Sequence, residues 1–480
     1  MSLYEKKPFC ACSTPPGVSG IAVIRLSGQN SAAVVDKCVR ILRSGENLAG
    51  SSKNITVSQM GGYTCAYADF FDPEDKNPID DVVITKFCAP YSYTGEDMVE
   101  ISCHGGISVK DKILSVLVNN GARNALPGEF TKTAFLNGKL DLSQAEAVMD
   151  VINADSEKAL KAANSQLNGE LKKRIEKISD DLYKILARIE MAVEFPEHDE
   201  DGTEEELIFE DLKQTSVDLT ALKNSYKQGR VLSERMKIAL LGFPNSGKSS
   251  LLNVLSGYDR AIVTEIAGTT RDTLEVQTDI AGIPVTLVDT AGIRETEDII
   301  EEMGVNRAIK AFEDCDMALY LISPDTSLED AKTRLSDILK DGIKPSKITL
   351  VFSKTDAGKN RYHDAIIKYF SDEGIKDNLE ISSVDNINIE ELKSRISDFY
   401  ERLGTTSASD VLILNRRHAD AVTRAEEQVL SALEIMETQV GIDVASSVLR
   451  ISLDALGEIT GKTVSAELCD TIFGRFCIGK

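Results

Sequence analysis

From Leu171 onward the apolar positions Leu171, Ile175, Ile178, Leu182, Ile185 and Ile189 alternate spacings of four and three. That rhythm predicts a long amphipathic helix with a narrow apolar seam, packed inside one bundle rather than in a coiled coil between molecules. The chain before it reads differently. Ile21 to Leu26, flanked by Pro15-Pro16-Gly17 and Gly28, is a short apolar run of buried-strand length, and Val82 to Phe87 and Met98 to Ser102 are two more. Residues 1 to about 120 are therefore expected to be α+β, with helical periodicity taking over near Ser143. Between Glu194 and Asp211 the chain turns strongly acidic, which predicts a solvated connector. From Met236 to Leu241 an alternation of apolar strands and helices runs to about residue 400, the pattern of a parallel α/β sheet. Helix returns from about 409 to 480, headed by Val411, Leu412, Ile413 and Leu414. Helix on both sides of an α/β unit predicts an insertion into a split helical domain.

Composition narrows the class. The 480 residues are 42% apolar and 27% charged, as in ordinary globular chains, and length alone suggests about three domains. No window nears the ~18 uninterrupted apolar residues of a membrane span. Met1 to Cys10 has no signal-peptide-like stretch, so a cytoplasmic protein with reduced cysteines is expected. The nine cysteines are scattered, and nothing completes a zinc site around Cys10 and Cys12. A net charge of −23 argues against indiscriminate nucleic-acid binding and leaves room for a specific RNA met by a local basic face.

The strongest chemical signal is Gly242-Phe243-Pro244-Asn245-Ser246-Gly247-Lys248-Ser249, between the strand Ile238 to Leu241 and the helix-like Leu251 to Leu255. Glycines let backbone N–H groups wrap phosphates, and a helix N-terminus adds positive potential. Lys248 is expected on the β/γ-phosphates and Ser249 on Mg²⁺, with Ser246, Gly247 and Ser250 completing the loop. Gly268-Thr269-Thr270 supplies Thr270 as second Mg²⁺ ligand. Asp289-Thr290-Ala291-Gly292 follows the strand Val285 to Val288, with Asp289 expected to hold a metal-bound water and the Gly292 N–H to face the γ-phosphate. Ser353-Lys354-Thr355-Asp356 closes the strand Ile348 to Phe352, where Asp356 can accept the N1 and N2 protons of guanine. Ser382 and Ser383 are expected to complete the base pocket. Each short motif alone is weak; four in order at strand ends predict a GTP-hydrolysing domain. Ile293 stands where Ras-like enzymes carry a water-orienting Gln, so another group must place the nucleophile. Asn245 offers an amide oxygen for a monovalent cation, or only stabilises the loop turn.

The chain resembles the MnmE (TrmE) family of tRNA-modification GTPases over nearly its whole length. Beyond the nucleotide motifs, the likeness is carried by four blocks. They are Ser13 to Gly17 with Ile24 to Gly28, Tyr93 to Asp97 running to Cys103-His104-Gly105-Gly106, Pro127 to Phe130 with Phe135 to Leu142, and the closing Cys477-Ile478-Gly479-Lys480. The resemblance implies a multidomain fold: an N-terminal α+β tetrahydrofolate-binding and dimerisation domain (1–122), a split α-helical domain (123–230 and 403–480) and an inserted Ras-like α/β P-loop G domain (231–402). It implies a homodimer that acts with an FAD-dependent partner in a heterotetramer or larger complex. Together they would install a carboxymethylaminomethyl or aminomethyl group on C5 of the wobble uridine of certain tRNAs. Matched position by position, Arg25, Glu100, Lys139 and Lys480 would touch the folate, in its 5-formyl or methylene form. Asn245, Thr264, Ile266 and Thr269 would hold K⁺, with Glu265, Ala267 and Gly268 in the same nucleotide-facing loop. Glu301 would be the catalytic carboxylate and Cys477 a reactive thiol. Read without the family, Glu301 is a solvated helix charge, while a strand-edge ion pair for Arg25 and Glu100 and a small apolar plug for Cys477 stay open as alternatives.

Three departures stand out. Ser353 replaces the usual Asn of the guanine motif, Val18 stands where an Arg is common, and Lys7 to Cys12 is unlike the family's opening. A shorter hydroxyl at 353 predicts only micromolar GTP affinity. An alternative function is a regulatory or assembly-factor GTPase switch without a modification role, and the nucleotide motifs do not separate the two.

Overall fold

The computed structural model describes residues 7–44, 55–194, 203–257, 262–263, 274–289, 315–340, 344–403, 411–438 and 442–480. The first part of the chain runs β1 (Phe9–Cys12), β2 (Ser19–Ser27), α1 (Ser31–Asp36), β3 (Val39–Ser44), β4 (Thr64–Phe71), β5 (Pro78–Phe87), β6 (Met98–Gly105), α2 (Ile107–Asn119), β7 (Arg123–Asn124) and α3 (Glu129–Leu136). Four helices follow: α4 (Leu142–Asn153), α5 (Glu157–Leu167), α6 (Glu170–Glu194) and α7 (Thr203–Glu234). Next come β8 (Met236–Gly242), α8 (Lys248–Ser256), β9 (Ile262–Val263), β10 (Leu274–Ile280), β11 (Ile283–Asp289), β12 (Met317–Ile322), α9 (Leu328–Lys340), β13 (Ile348–Phe352), α10 (His363–Asp372), β14 (Asn378–Glu380) and α11 (Ile389–Arg402). The chain closes with α12 (Arg416–Glu437), α13 (Ile442–Thr460) and α14 (Ala466–Phe473).

Two compact units result: residues 1–149 with 454–480, and residues 150–453. In the first, a seven-stranded sheet in the order β3-β4-β5-β6-β2-β1-β7 is antiparallel except for the β1–β7 pair. Its inner face, with Ile24, Leu26, Ala68, Phe70, Ile84 and Ile101, shares one core with Ile113, Val116 and Leu117 of α2. The apolar run expected from Ile21 is thus a strand, although Ile21 itself is exposed.

In the second unit the sheet order is β14-β13-β12-β8-β11-β10-β9. The strands from β14 to β11 are parallel, whereas β10 is antiparallel to both β11 and β9, so the expected parallel sheet carries an antiparallel edge. The two-residue turn Ala281-Gly282, with φ of 54° and 78°, makes that hairpin possible, since paired left-handed residues match the twist of the strands. β8 lies between β11, which follows it in the chain, and β12, which comes later. The chain therefore changes direction across the sheet at the carboxyl end of β8, where open α/β sheets leave a crevice for ligands.

The seam read from Leu171 to Ile189 is buried along α6. The acidic segment is not wholly a connector: its second half is the start of α7. Arg188 of α6 explains why, because its guanidinium pairs with both Glu204 and Asp211 while Ile208 is buried between them in sequence. Charge along 203–211 therefore faces a cation and solvent without opposing helix formation.

Candidate functional site

β8, nearly all buried, delivers Gly242 to the crevice. A Cβ on Gly242 would lie 2.6 Å from both the Leu321 carbonyl oxygen and Ser246 Oγ, so only glycine lets the loop leave the sheet there. The loop turns through Asn245 at φ 63° and Gly247 at φ 90°, and Gly247 caps the N-terminus of α8. Lys248, 5% exposed, donates from Nζ to the carbonyls of Gly242 at 2.9 Å and Phe243 at 2.8 Å. Its ammonium is thereby folded over the loop, while Ser249 and Ser250 lie exposed on the first helical turn. Helix N–H groups, a held cation and two hydroxyls make a cradle for a polyphosphate. β11 ends beside it, with Asp289 opposite Leu240 of β8. Thr264, Glu265, Ile266, Ala267, Gly268, Thr269, Thr270, Thr290, Ala291, Gly292 and Glu301 lie outside the described residues.

The base side is built from β13. Ser353 is 4% exposed, and its hydroxyl donates to the backbone carbonyls of Ser246 at 2.6 Å and Ile322 at 3.2 Å. Where the sequence suggests a shortened guanine contact, the geometry gives a tie between phosphate loop and sheet. Lys354, at φ 56°, runs its stem beside Gly247. Asp356 is exposed, and its Oδ1 accepts from Ser382 Oγ at 2.6 Å. Ser382 is fully buried and fixed by backbone bonds with Ile387, and half-buried Ser383 follows it. The carboxylate is therefore already oriented by Ser382. Asp356→Asn is expected to shift preference from GTP to xanthosine triphosphate by about 10²-fold, because an amide donates to the extra carbonyl of xanthine. Competition binding with the two nucleotides checks this; unchanged preference would remove Asp356 from base selection.

A second cluster forms in the other unit. Arg25 on β2 and Glu100 on β6 are register partners joined through Nε and Oε1 at 2.7 Å, with 21% and 22% of each side chain exposed. The Arg25 guanidinium lies 5.4 Å over the ring of Tyr93, whose hydroxyl meets Thr131 Oγ1 at 2.9 Å. At the end of α14, Phe473 and the following Phe476 pack with Leu142 and Phe135, which brings the last residues back onto the sheet. Gly128 N donates to the Cys477 carbonyl at 3.4 Å, Phe130 N to the Lys480 carbonyl at 3.2 Å, and Ser13 Oγ to the Gly479 carbonyl at 2.9 Å. Burial, then the nearby Arg25 charge, lowers the pKa of Lys480, while Cys477 and Glu100 oppose the shift. Arg25, Glu100 and Cys477 are thus each within electrostatic reach of Lys480. Lys139 lies along the neighbouring loop, donating to the Pro90 carbonyl at 3.2 Å with its stem against Gly95. Tyr93 has no role in the sequence reading beyond its motif block; an aromatic in a glycine-containing loop was its only signal.

Two family models match this chain: "GTP-binding protein TrmE N-terminus" over residues 8–139 and "MnmE helical domain" over residues 142–477. It is 40% identical over 477 residues to the tRNA modification GTPase MnmE of Caldicellulosiruptor saccharolyticus, covering 99% of this chain and 100% of that one. To the protein of the same name from Clostridioides difficile it is 37% identical, with 100% of both chains covered. The chain belongs to the MnmE family of tRNA modification GTPases. As an MnmE-family member it is a GTPase of tRNA modification, and its fold combines an N-terminal α+β domain, a helical domain and a P-loop G domain. The solved G domain of the T. maritima FeoB iron transporter is 27% identical, with 34% of this chain and 98% of that chain covered, but its TM-score of 0.28 is too low to bear on function. Among the described residues of this MnmE-family chain no helix is long and apolar enough to cross a membrane. No group of three or more His, Cys, Asp or Glu side chains among them is arranged to hold a metal ion.

Proposed function

We propose that this chain couples K⁺-dependent GTP hydrolysis to the installation, with an FAD-carrying partner, of an aminomethyl-type group at C5 of the wobble uridine of certain tRNAs. The observation that carries the reading is the seating of residues 477–480 on Ser13, Gly128 and Phe130, which brings Lys480 within electrostatic reach of Arg25 and Glu100, in a compact unit other than the one holding the phosphate cradle. A GTPase acting only as a switch has no use for a second polar site of this kind. In this reading the chain comprises domains 1–122, 123–230, 231–402 and 403–480, and it works as a cytoplasmic homodimer within a heterotetramer or larger assembly.

The donor chemistry suits the implied ions. Ser249 places an exposed hydroxyl on the first turn of α8, and with Thr270 it forms the all-oxygen set that Mg²⁺ takes. Asn245 is exposed on the loop, and its amide oxygen joins Thr264, Ile266 and Thr269 as K⁺ ligands. These cations supply positive charge where negative charge develops on the transferred phosphoryl group. Lys248 binds the β/γ-phosphates, Asp356 holds guanine, and Glu301 orients the attacking water that Ile293 cannot. In the other unit, Arg25, Lys139 and Lys480 present cationic groups and Glu100 a carboxylate, a set that fits the glutamate and pterin of tetrahydrofolate, which supplies the one-carbon unit in its 5-formyl or methylene form. Cys477 is exposed, so its thiol is open to a carbon centre.

The test joins both halves. Bulk tRNA from cells lacking this chain is expected to lose the modified wobble nucleoside. GTP turnover by the purified protein should fall on the order of 10²-fold when Na⁺ replaces K⁺ at matched ionic strength. Intact modification would overturn the tRNA role, and equal turnover in the two salts the K⁺ site.

A further inference from the structure

We propose that Arg235 is a positioning residue for GTP hydrolysis, locking the β10–β11 hairpin to the connector between α4 and α5. Arg235 is the single residue between α7 and β8, and its backbone sits at φ 69°. That left-handed region is the province of glycine, because a Cβ crowds the backbone there. Such strain persists where the surroundings over-determine it, and here the side chain shows what does so.

One end of the guanidinium, Nη1, donates to the carbonyls of Thr278 and Val285, each at 3.1 Å. The other, Nη2, pairs with the Asp155 carboxylate. Thr278 and Val285 face each other across the hairpin, so one fork grips both of its strands at the same level. The side chain is only 18% exposed, which shelters these bonds from water. Farther along, the hairpin turn meets α5: the Lys158 stem comes within 3.9 Å of a Cβ position on Gly282, and Ala159 shares a core with Val276, Ile280 and Ile283. Lys158 continues to Glu401 at 3.1 Å and lies 4.9 Å over the Tyr400 ring, which ties in α11.

The hairpin so held has two chemical ends. β10 begins at Leu274, directly after the stretch with Gly268-Thr269-Thr270, and β11 closes on Asp289, the first residue of Asp289-Thr290-Ala291-Gly292. The first motif reads as carrying the Mg²⁺ ligand Thr270 and the second as facing the γ-phosphate through Gly292, and the inference rests on that reading. With the bar anchored, the strand ends at Leu274 and Asp289 keep a fixed register with each other, and Asp289 with β8. Arg235 touches no reacting atom and acts through the hairpin. A planar fork is required, since lysine offers a point charge that cannot grip two carbonyls and a carboxylate together.

The experiment uses the full chain and measures kcat, KM for GTP and Tm for Arg235→Gly, Arg235→Lys, Asp155→Asn and the Gly/Asn double variant. Glycine accepts φ 69° without strain, and that relief offsets the lost guanidinium bonds, so Tm for Arg235→Gly should change little. Its kcat should fall roughly tenfold with KM changed less than about twofold. Asp155→Asn should fall in the same direction, the double variant should be no worse than Arg235→Gly, and lysine should rescue only part. A kcat within about twofold of the parent for Arg235→Gly overturns the proposal, as does a loss that tracks a lower Tm. Should Arg235→Gly fail to fold, Asp155→Asn decides, because it leaves the α7–β8 backbone untouched. Thr270→Ala is measured alongside: if it hydrolyses GTP normally, the reading of the strand-end motifs fails rather than the clamp.

Discussion

Lys248→Ala is expected to lower GTP turnover roughly 10³-fold, the largest effect of any single substitution in the G domain. The lysine is buried at the start of α8, and its ammonium is already aimed into the loop by the Gly242 and Phe243 carbonyls at 2.9 and 2.8 Å. A β/γ-phosphate entering the cradle meets a charge that needs little reorganisation, which is the condition for strong transition-state stabilisation. Alanine removes that charge and takes the ammonium donor from both carbonyls. Arginine does not restore the function, since a wide planar guanidinium does not fit where a compact ammonium sits between two carbonyls. Phosphate release measured at saturating GTP, with affinity read from a fluorescent analogue, separates the catalytic from the binding loss. Turnover within tenfold of the parent would show that the loop is not the phosphate site.

Gly479→Ala is expected to abolish tRNA modification while leaving GTP hydrolysis within about twofold of the parent. Gly479 lies at φ 95°, and a Cβ there would be 2.3 Å from the Cys12 carbonyl oxygen and 3.0 Å from Ser13 Cα. Those atoms are backbone of the β1 end and cannot swing aside as a flexible side chain would, so the last residues must leave their seat. Cys477 and Lys480 then lose their backbone ties to Gly128 and Phe130, and Lys480 its place within electrostatic reach of Arg25 and Glu100. Cys477→Ser complements this, because it keeps the docking and removes only the thiol. Loss of modification in both variants assigns chemistry to the sulfur; loss in Gly479→Ala alone makes Lys480 and the docked backbone the essential part. Persistence in both, and after deletion of 477–480, would detach these residues from any site and favour a GTPase without a modification role. The readouts are modified-uridine content in cells carrying only the variant and steady-state GTP hydrolysis of the purified protein.

Much of the nucleotide site was legible because its chemistry is local. Gly242, Gly247, Lys248 and Ser249 fall within one turn between strand and helix, so spacing alone implies the cradle. The α6 seam was legible for a similar reason: a helix buries a fixed stripe, and Leu171 to Ile189 mark it whatever lies opposite. The acidic run shows the limit. Its charges suggest a solvated connector until Arg188, on a different helix, is seen to pair with Glu204 and Asp211 and so permit α7.

Ser353 and Arg235 mark the same boundary at single residues. As a hydroxyl in a guanine motif Ser353 reads as a weak base contact, and only folding brings Ser246, 107 positions away, to accept its proton. Arg235 carries no motif, and the partners that give it meaning are 80, 43 and 50 positions distant. Ser13 and Gly479 meet across 466 positions. By itself the sequence determined element types, their order and the phosphate-loop chemistry, because periodicity and short motifs act over a few neighbouring residues. The tertiary structure decided which charges are paired, which polar atoms tie one segment to another, and that residues 477–480 seat on Ser13, Gly128 and Phe130. Those outcomes depend on the packing of distant surfaces, and a local pattern states only which face seeks burial, not what will cover it.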